Sequence, residues 1–129
     1  MNELNNTVTS TGTYNNIPTS LTSNTSVVNM IDGLTITKDA DKKNWGSGEL
    51  TYTIKLDNQT NTTYINPVVT DIIDSSLVKF VPGSVIINDV TATEDEYSYN
   101  EGTHTLTVNL KDIAANSTTT LTFRVEKNL

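Results

Sequence analysis

The run Leu34-Thr35-Ile36-Thr37-Lys38-Asp39-Ala40-Asp41-Lys42 and, after a short turn, the run Leu50-Thr51-Tyr52-Thr53-Ile54-Lys55-Leu56-Asp57-Asn58 decide the fold of this chain. In both runs the even positions are mostly apolar and the odd positions polar. Successive side chains of a strand point to opposite faces, so this period of two marks strands with one face in a core and the other in water. Such a pattern specifies the wall of a sandwich and says little about a ligand.

Working outward, turn signals recur at Asn44-Trp45-Gly46-Ser47-Gly48, Asn58-Gln59-Thr60-Asn61, Pro82-Gly83, Asn100-Glu101-Gly102 and Ala115-Asn116-Ser117. Between them the pattern predicts strands over 34–39, 48–57, 63–73, 77–80, 84–90, 96–100, 103–111 and 117–127. Seven to eight short strands at this spacing predict an all-β, immunoglobulin-like antiparallel β-sandwich. No segment carries helical apolar spacing over three turns, so no substantial helix is expected. Parity places Leu34, Ile36, Leu50, Tyr52, Ile54 and Leu56 in the core. Val69, Ile73, Leu77, Phe80, Val85 and Ile87 join them, followed by Leu106, Val108, Leu110, Leu121, Phe123 and Val125.

Residues 1–31 differ in texture from the domain at 32–129. Asn, Thr and Ser dominate, and apolar residues stand alone until Val27-Val28-Asn29-Met30. A segment of this kind buries too little apolar area to offset its ordering entropy, and it reads as a flexible N-terminal arm. Its Thr and Val content suits an extended strand once a partner edge is available, which makes Val27, Val28 and Met30 the candidate assembly residues.

The chain has 129 residues, no cysteine and a formal charge of -7. Its few lysines are scattered among carboxylates, which argues against nucleic acid, since phosphate binding relies on clustered Lys and Arg. Without cysteine there is no disulfide, no thiolate nucleophile and no zinc site of the cysteine type. The first thirty residues hold no Lys or Arg and no apolar run, so no secretory signal is expected within them. No apolar segment is long enough to span a bilayer, and membrane insertion is not expected.

The residues Ile36-Thr37-Lys38-Asp39-Ala40-Asp41-Lys42, Leu50-Thr51-Tyr52-Thr53-Ile54, Val68-Val69-Thr70-Asp71, Phe80-Val81-Pro82-Gly83-Ser84-Val85 and Thr120-Leu121-Thr122-Phe123-Arg124-Val125 resemble the bacterial surface repeat called domain of unknown function eleven, over about residues 33 to 127. The resemblance implies an immunoglobulin-like module of surface proteins and adhesins, with no enzymatic activity. Such modules usually occur in tandem. A single copy, with neither a wall-sorting signal nor a membrane anchor after Leu129, points to an excised repeat or to a small self-assembling subunit. A spore or surface appendage fits the second case, because spore-surface proteins made in the mother cell need no signal peptide. The expected location is the cell surface or the extracellular space.

Lys38 continues the inward parity of Leu34 and Ile36, and Asp71 shares that of Val69 and Ile73. A lysine aimed at a core needs a partner, and Asp71 is the candidate for a buried ion pair. In related surface domains a buried Lys reacts with an Asn or Asp side chain to give an isopeptide bond, assisted by an acidic residue. Asn109 and Asn128, on the final strands, alternate with apolar residues and are expected to face outward.

The acidic stretch from Asp89 to Glu96 offers oxygen ligands but lacks the spacing of a calcium loop, so no metal or other cofactor is expected. His104 reads as a solvated strand residue, and Gly46-Ser47-Gly48 as a turn. Trp45, Tyr97 and Tyr99 suggest a sugar platform, against which stands the usual role of such rings in closing a core. The Asn-x-Thr/Ser triplets at Asn5, Asn24, Asn58, Asn61 and Asn116 matter only in a host with that glycosylation machinery. No nucleophile, base and orienting group can be assembled, so an enzyme is not expected. The sequence predicts a structural module forming a homo-oligomer or filament through its edge strands, with an adhesive repeat contacting a host protein or glycan as the alternative.

Overall fold

The computed structural model describes residues 2–128, with side chains from residue 3. It is all-β: thirteen strands and no helix among the described residues. The chain divides into two units, Met1–Asp32 and Gly33–Leu129.

The first unit is a ribbon of β1 (Asn2–Asn6), β2 (Thr9–Tyr14), β3 (Ile17–Thr22) and β4 (Ser26–Met30). β2 pairs with β3 and β1 with β4, both antiparallel. Asn15 and Asn16 close the β2–β3 hairpin at φ 52° and 64°, the left-handed geometry a two-residue turn of type I′ requires and Asn tolerates. Where composition predicted only an arm, the structure pairs the segment along its own length, and the Asn-Asn turn is the signal that reading passed over.

Midway the register changes. Thr9 faces Thr22 but Asn6 faces Ser26, so two residues on one side are opposed by three on the other, a bulge. The Val8 N–H donates to Ser23 Oγ at 3.0 Å and the Ser23 N–H to Val8 O at 2.9 Å. The shift moves the apolar positions from odd numbers in β3 to even numbers in β4. Tyr14, Ile17 and Leu21 therefore share one face of β2–β3, and Leu4, Val28 and Met30 one face of β1–β4. The opposite face of β2–β3 carries Thr9, Thr11, Thr13, Ser20 and Thr22. None of these apolar side chains is buried.

The second unit holds β5 (Leu34–Ala40), β6 (Glu49–Asn58), β7 (Val68–Ile72), β8 (Val78–Phe80), β9 (Ile86–Ile87), β10 (Val90–Thr91), β11 (Tyr97–Asn100), β12 (Thr105–Asn109) and β13 (Ser117–Lys127). One antiparallel sheet runs β10-β9-β13-β6-β5, with β8 also on β13, and another runs β11-β12-β7. The arrangement resembles a β-sandwich and is not a closed barrel. Between the sheets lie Leu50, Ile54, Leu56, Val69, Phe80, Val85, Leu106, Val108, Leu121, Phe123 and Val125, the alternate positions that parity selects.

Several expectations need correction. The 84–90 strand is a tight hairpin, because Asn88 and Asp89 take φ 47° and 66° and turn the chain between β9 and β10. The 63–73 strand begins only at Val68: Asn66 is left-handed at φ 49°, Pro67 follows, and Tyr64 makes one isolated bridge to Ile113. Leu77 is exposed in the turn that Asp74 caps, and Ile36 is exposed although it faces inward. Tyr52 and Ile87 are half-buried, and Ile113 is a core residue the pattern missed. His104 is not a strand residue; it ends a turn at φ 55°, with its Nδ1 3.3 Å from the Tyr99 hydroxyl.

Candidate functional site

β5 is paired on one side only. Asp41 donates its N–H to Thr51 O at 2.9 Å, and Gln59 donates to Gly33 O at 2.8 Å, which ties odd-numbered residues of this strand to β6. Hydrogen bonding alternates along an antiparallel strand, so the N–H and C=O groups of Leu34, Ile36, Lys38 and Ala40 point away from β6. Among the described residues no strand receives them.

β7 ends the other sheet in the same way. Ile73 donates to His104 O and Leu110 to Pro67 O, each at 2.9 Å, leaving the backbone groups of Val68, Thr70 and Ile72 directed away from β12. Between the two strands lies a groove of about 230 Å³, lined by Leu34, Ile36, Leu56, Tyr64, Val68 and Val69 among others.

One end of the groove carries the Lys38–Asp71 pair, with Nζ 2.7 Å from Oδ2. The Asp71 side chain is 10% exposed, but that of Lys38 is 43% exposed, so the lysine is not enclosed in the core. Its ammonium sits 4.3 Å from the Tyr52 ring centroid and 5.9 Å from that of Phe123, over faces that attract a cation. Isopeptide formation would require the amine to lose its proton and a neighbouring acid to relay it. Asp71 is the acid the structure places on this amine, and the arrangement is that of an ion pair stitching two sheet edges. Asn109 is exposed on β12, and Asn128 donates to Ser75 O at 2.7 Å.

The other end is organised by Asn58, which sequence reasoning assigned to a turn. It is fully buried. Its Nδ2 donates to the carbonyls of Thr62, Ile113 and Ala114 at 2.9, 3.0 and 3.2 Å. Its Oδ1 accepts from the Thr60 N–H at 3.0 Å and the Thr60 hydroxyl at 2.7 Å. One amide thus pins two loops to the last residue of β6.

The remaining candidates are put to structural use. The Glu96 carboxylate accepts from the Thr93 N–H and hydroxyl, and the first of these bonds holds it below the ordinary value. The described residues contain no group of three His, Cys, Asp or Glu able to hold a metal ion. Tyr99 stacks on Phe80 at 4.9 Å and Tyr97 meets it edge-on at 6.1 Å. Trp45 is packed against the core with its Nε1 buried, and Lys127 donates to Gly46 O beside it. These rings close the core and present no exposed platform. Val27, Val28 and Met30 stand exposed on β4, Val28 and Met30 on one face and Val27 on the other.

No helix among the described residues is long and apolar enough to cross a membrane. In comparisons with known proteins, the chain matches no family model, no curated protein and no solved structure.

Proposed function

We propose that the chain is a non-catalytic structural module of a bacterial surface or of a spore or other extracellular appendage, an immunoglobulin-like repeat that self-assembles through its N-terminal segment. The observation that carries this reading is that one chain combines an unpaired sheet edge beside an apolar groove with an uncharged, apolar-faced β4 strand whose side chains are exposed. Unpaired edges join other strands unless they are guarded, and a two-stranded ribbon is marginal in water on its own. Joined head to tail between copies, the contact is heterologous and propagates into a filament unless it closes into a ring.

The test is negative-stain electron microscopy of the protein at rising concentration, with and without residues 1–31. Filaments or rings that disappear on truncation support an assembling subunit. Dispersed particles in both samples, with a folded domain by circular dichroism, overturn self-assembly and leave the adhesive repeat.

A further inference from the structure

We infer that the free side of β7 is a homodimer contact, pairing antiparallel with β7 of a second copy about a two-fold axis at Thr70. The contact goes beyond the assembly reading above and does not use residues 1–31.

β7 reads Val68-Val69-Thr70-Asp71-Ile72, and among the described residues no strand lies on its free side. The backbone groups facing that side belong to Val68, Thr70 and Ile72, whose side chains are all exposed. Val68 is 58% exposed and Ile72 75%. An edge of β-branched residues with open main-chain groups is a template for a further strand unless it is guarded.

The usual guards are absent or turned away. The outward positions of β7 carry no charge, and those of β12 and β11 are all Thr, Asn or Ser. The outer face of the other sheet, by contrast, carries Asp39, Lys55 and Asp57. Pro67 precedes the strand, but by alternation its nitrogen lies on the β12 side, where its carbonyl accepts from the Leu110 N–H, so the free side loses no donor. Asp71 points inward, and Lys38 holds its charge at 2.7 Å.

The strand's own sequence selects the occupant. With Thr70 opposite Thr70 of the second copy, Val68 faces Ile72 and Ile72 faces Val68, so an apolar cross-strand pair flanks the axis on each side. Val68, Thr70 and Ile72 then turn their N–H and C=O groups to the partner strand, and each opposed pair exchanges two hydrogen bonds. In the same register Asp71 falls opposite Val69, which keeps the two Asp71 carboxylates from facing each other directly. Copies of formal charge -7 repel on approach, and this uncharged face lets them meet without opposing carboxylates. Five residues span about 17 Å, so the contact is small and the association weak.

The absence of cysteine makes the test free of background. In this register the two Thr70 Cα atoms stand about 5.5 Å apart, a separation that a disulfide spans. A Thr70→Cys copy of the full chain is mildly oxidised beside Thr35→Cys and Ser98→Cys copies, whose exposed positions lie on the edge strands β5 and β11. Several-fold more disulfide dimer from Thr70→Cys than from either control is the expected result. Adding Ile72→Lys to the Thr70→Cys copy should bring its yield down to that of the controls, because an edge lysine opposes strand addition. Circular dichroism checks that each variant keeps the fold. Equal yields from the three single-cysteine copies overturn the contact. A Thr70→Cys yield that Ile72→Lys leaves unchanged overturns pairing through β7.

Discussion

Ile36 and Leu56 are direct cross-strand partners on the inner face of one sheet, yet Leu56 is 6% exposed and Ile36 is 61% exposed. The difference is position: β6 lies inside its sheet, whereas β5 is its edge. Leu56→Ala is therefore expected to cost the dispersed protein about 2–5 kcal/mol, and Ile36→Ala less than about 1 kcal/mol, in denaturant unfolding. An Ile36→Ala loss of stability as large as that of Leu56→Ala would show that the edge is covered within the single chain.

Asn58 is the polar centre of its end of the domain. Asn58→Ala leaves the Thr60 N–H and the Ala114 carbonyl without this partner in a part-buried setting, while the Ile113 carbonyl keeps the Tyr64 N–H. Each group left unpaired costs about 1–3 kcal/mol, so a loss of at least about 2 kcal/mol is expected. For a domain of this size that corresponds to a fall in melting temperature of about 8 °C or more. Asn58→Asp should be at least as costly at neutral pH, because it replaces the donor with an acceptor facing carbonyls. A melting temperature unchanged in both variants would mean that water replaces the amide freely.

Alternation made the sandwich walls legible. Leu50 to Leu56 and Leu121 to Val125 keep strict two-residue spacing, and their strands appear where the pattern puts them. Pattern failed where a left-handed residue interrupts it: Asn66, Asn88, Asp89 and His104 each break a run whose hydrophobicity continues. It also failed at Ile36, because parity reports the face a side chain points to and not whether anything lies opposite. Asn58 was hidden for a related reason, since burial of a polar residue depends on loops distant in sequence. The Lys38 and Asp71 pairing was accessible from parity, but the exposure of Lys38 was not, because it follows from the same open edge.

The Lys38–Asp71 pair is half open to water, which discounts its contribution. A double-mutant cycle with Lys38→Met and Asp71→Asn is expected to give a coupling of about 1 kcal/mol or less, weakening with added salt. Because the contact is an ion pair, the intact mass should equal that calculated from the sequence. A mass lower by one water, abolished by Lys38→Met, would show an isopeptide bond and sink the ion-pair reading.

Acid should destabilise the domain through at least two carboxylates. The Thr51 N–H, donating to Asp41 Oδ1 at 3.0 Å, lowers Asp41 below its ordinary 3.8, helped by Lys42 and opposed by desolvation. The Thr93 N–H does the same for Glu96 relative to 4.5, again against desolvation. A folded-state value below the unfolded one means stabilisation that is full above the unfolded value and lost as pH falls through the folded one. Stability should thus hold at neutral pH and decline below about pH 4.5, with a shallower decline in Glu96→Gln, whose side chain no longer titrates. Tyr99 gives the opposite limb: burial raises it above 10.0, with Glu101 adding to the shift, so its contribution disappears only as pH rises past that value. Denaturant unfolding across the pH range reads both limbs, and an acid slope unchanged by Glu96→Gln would remove Glu96 from the account.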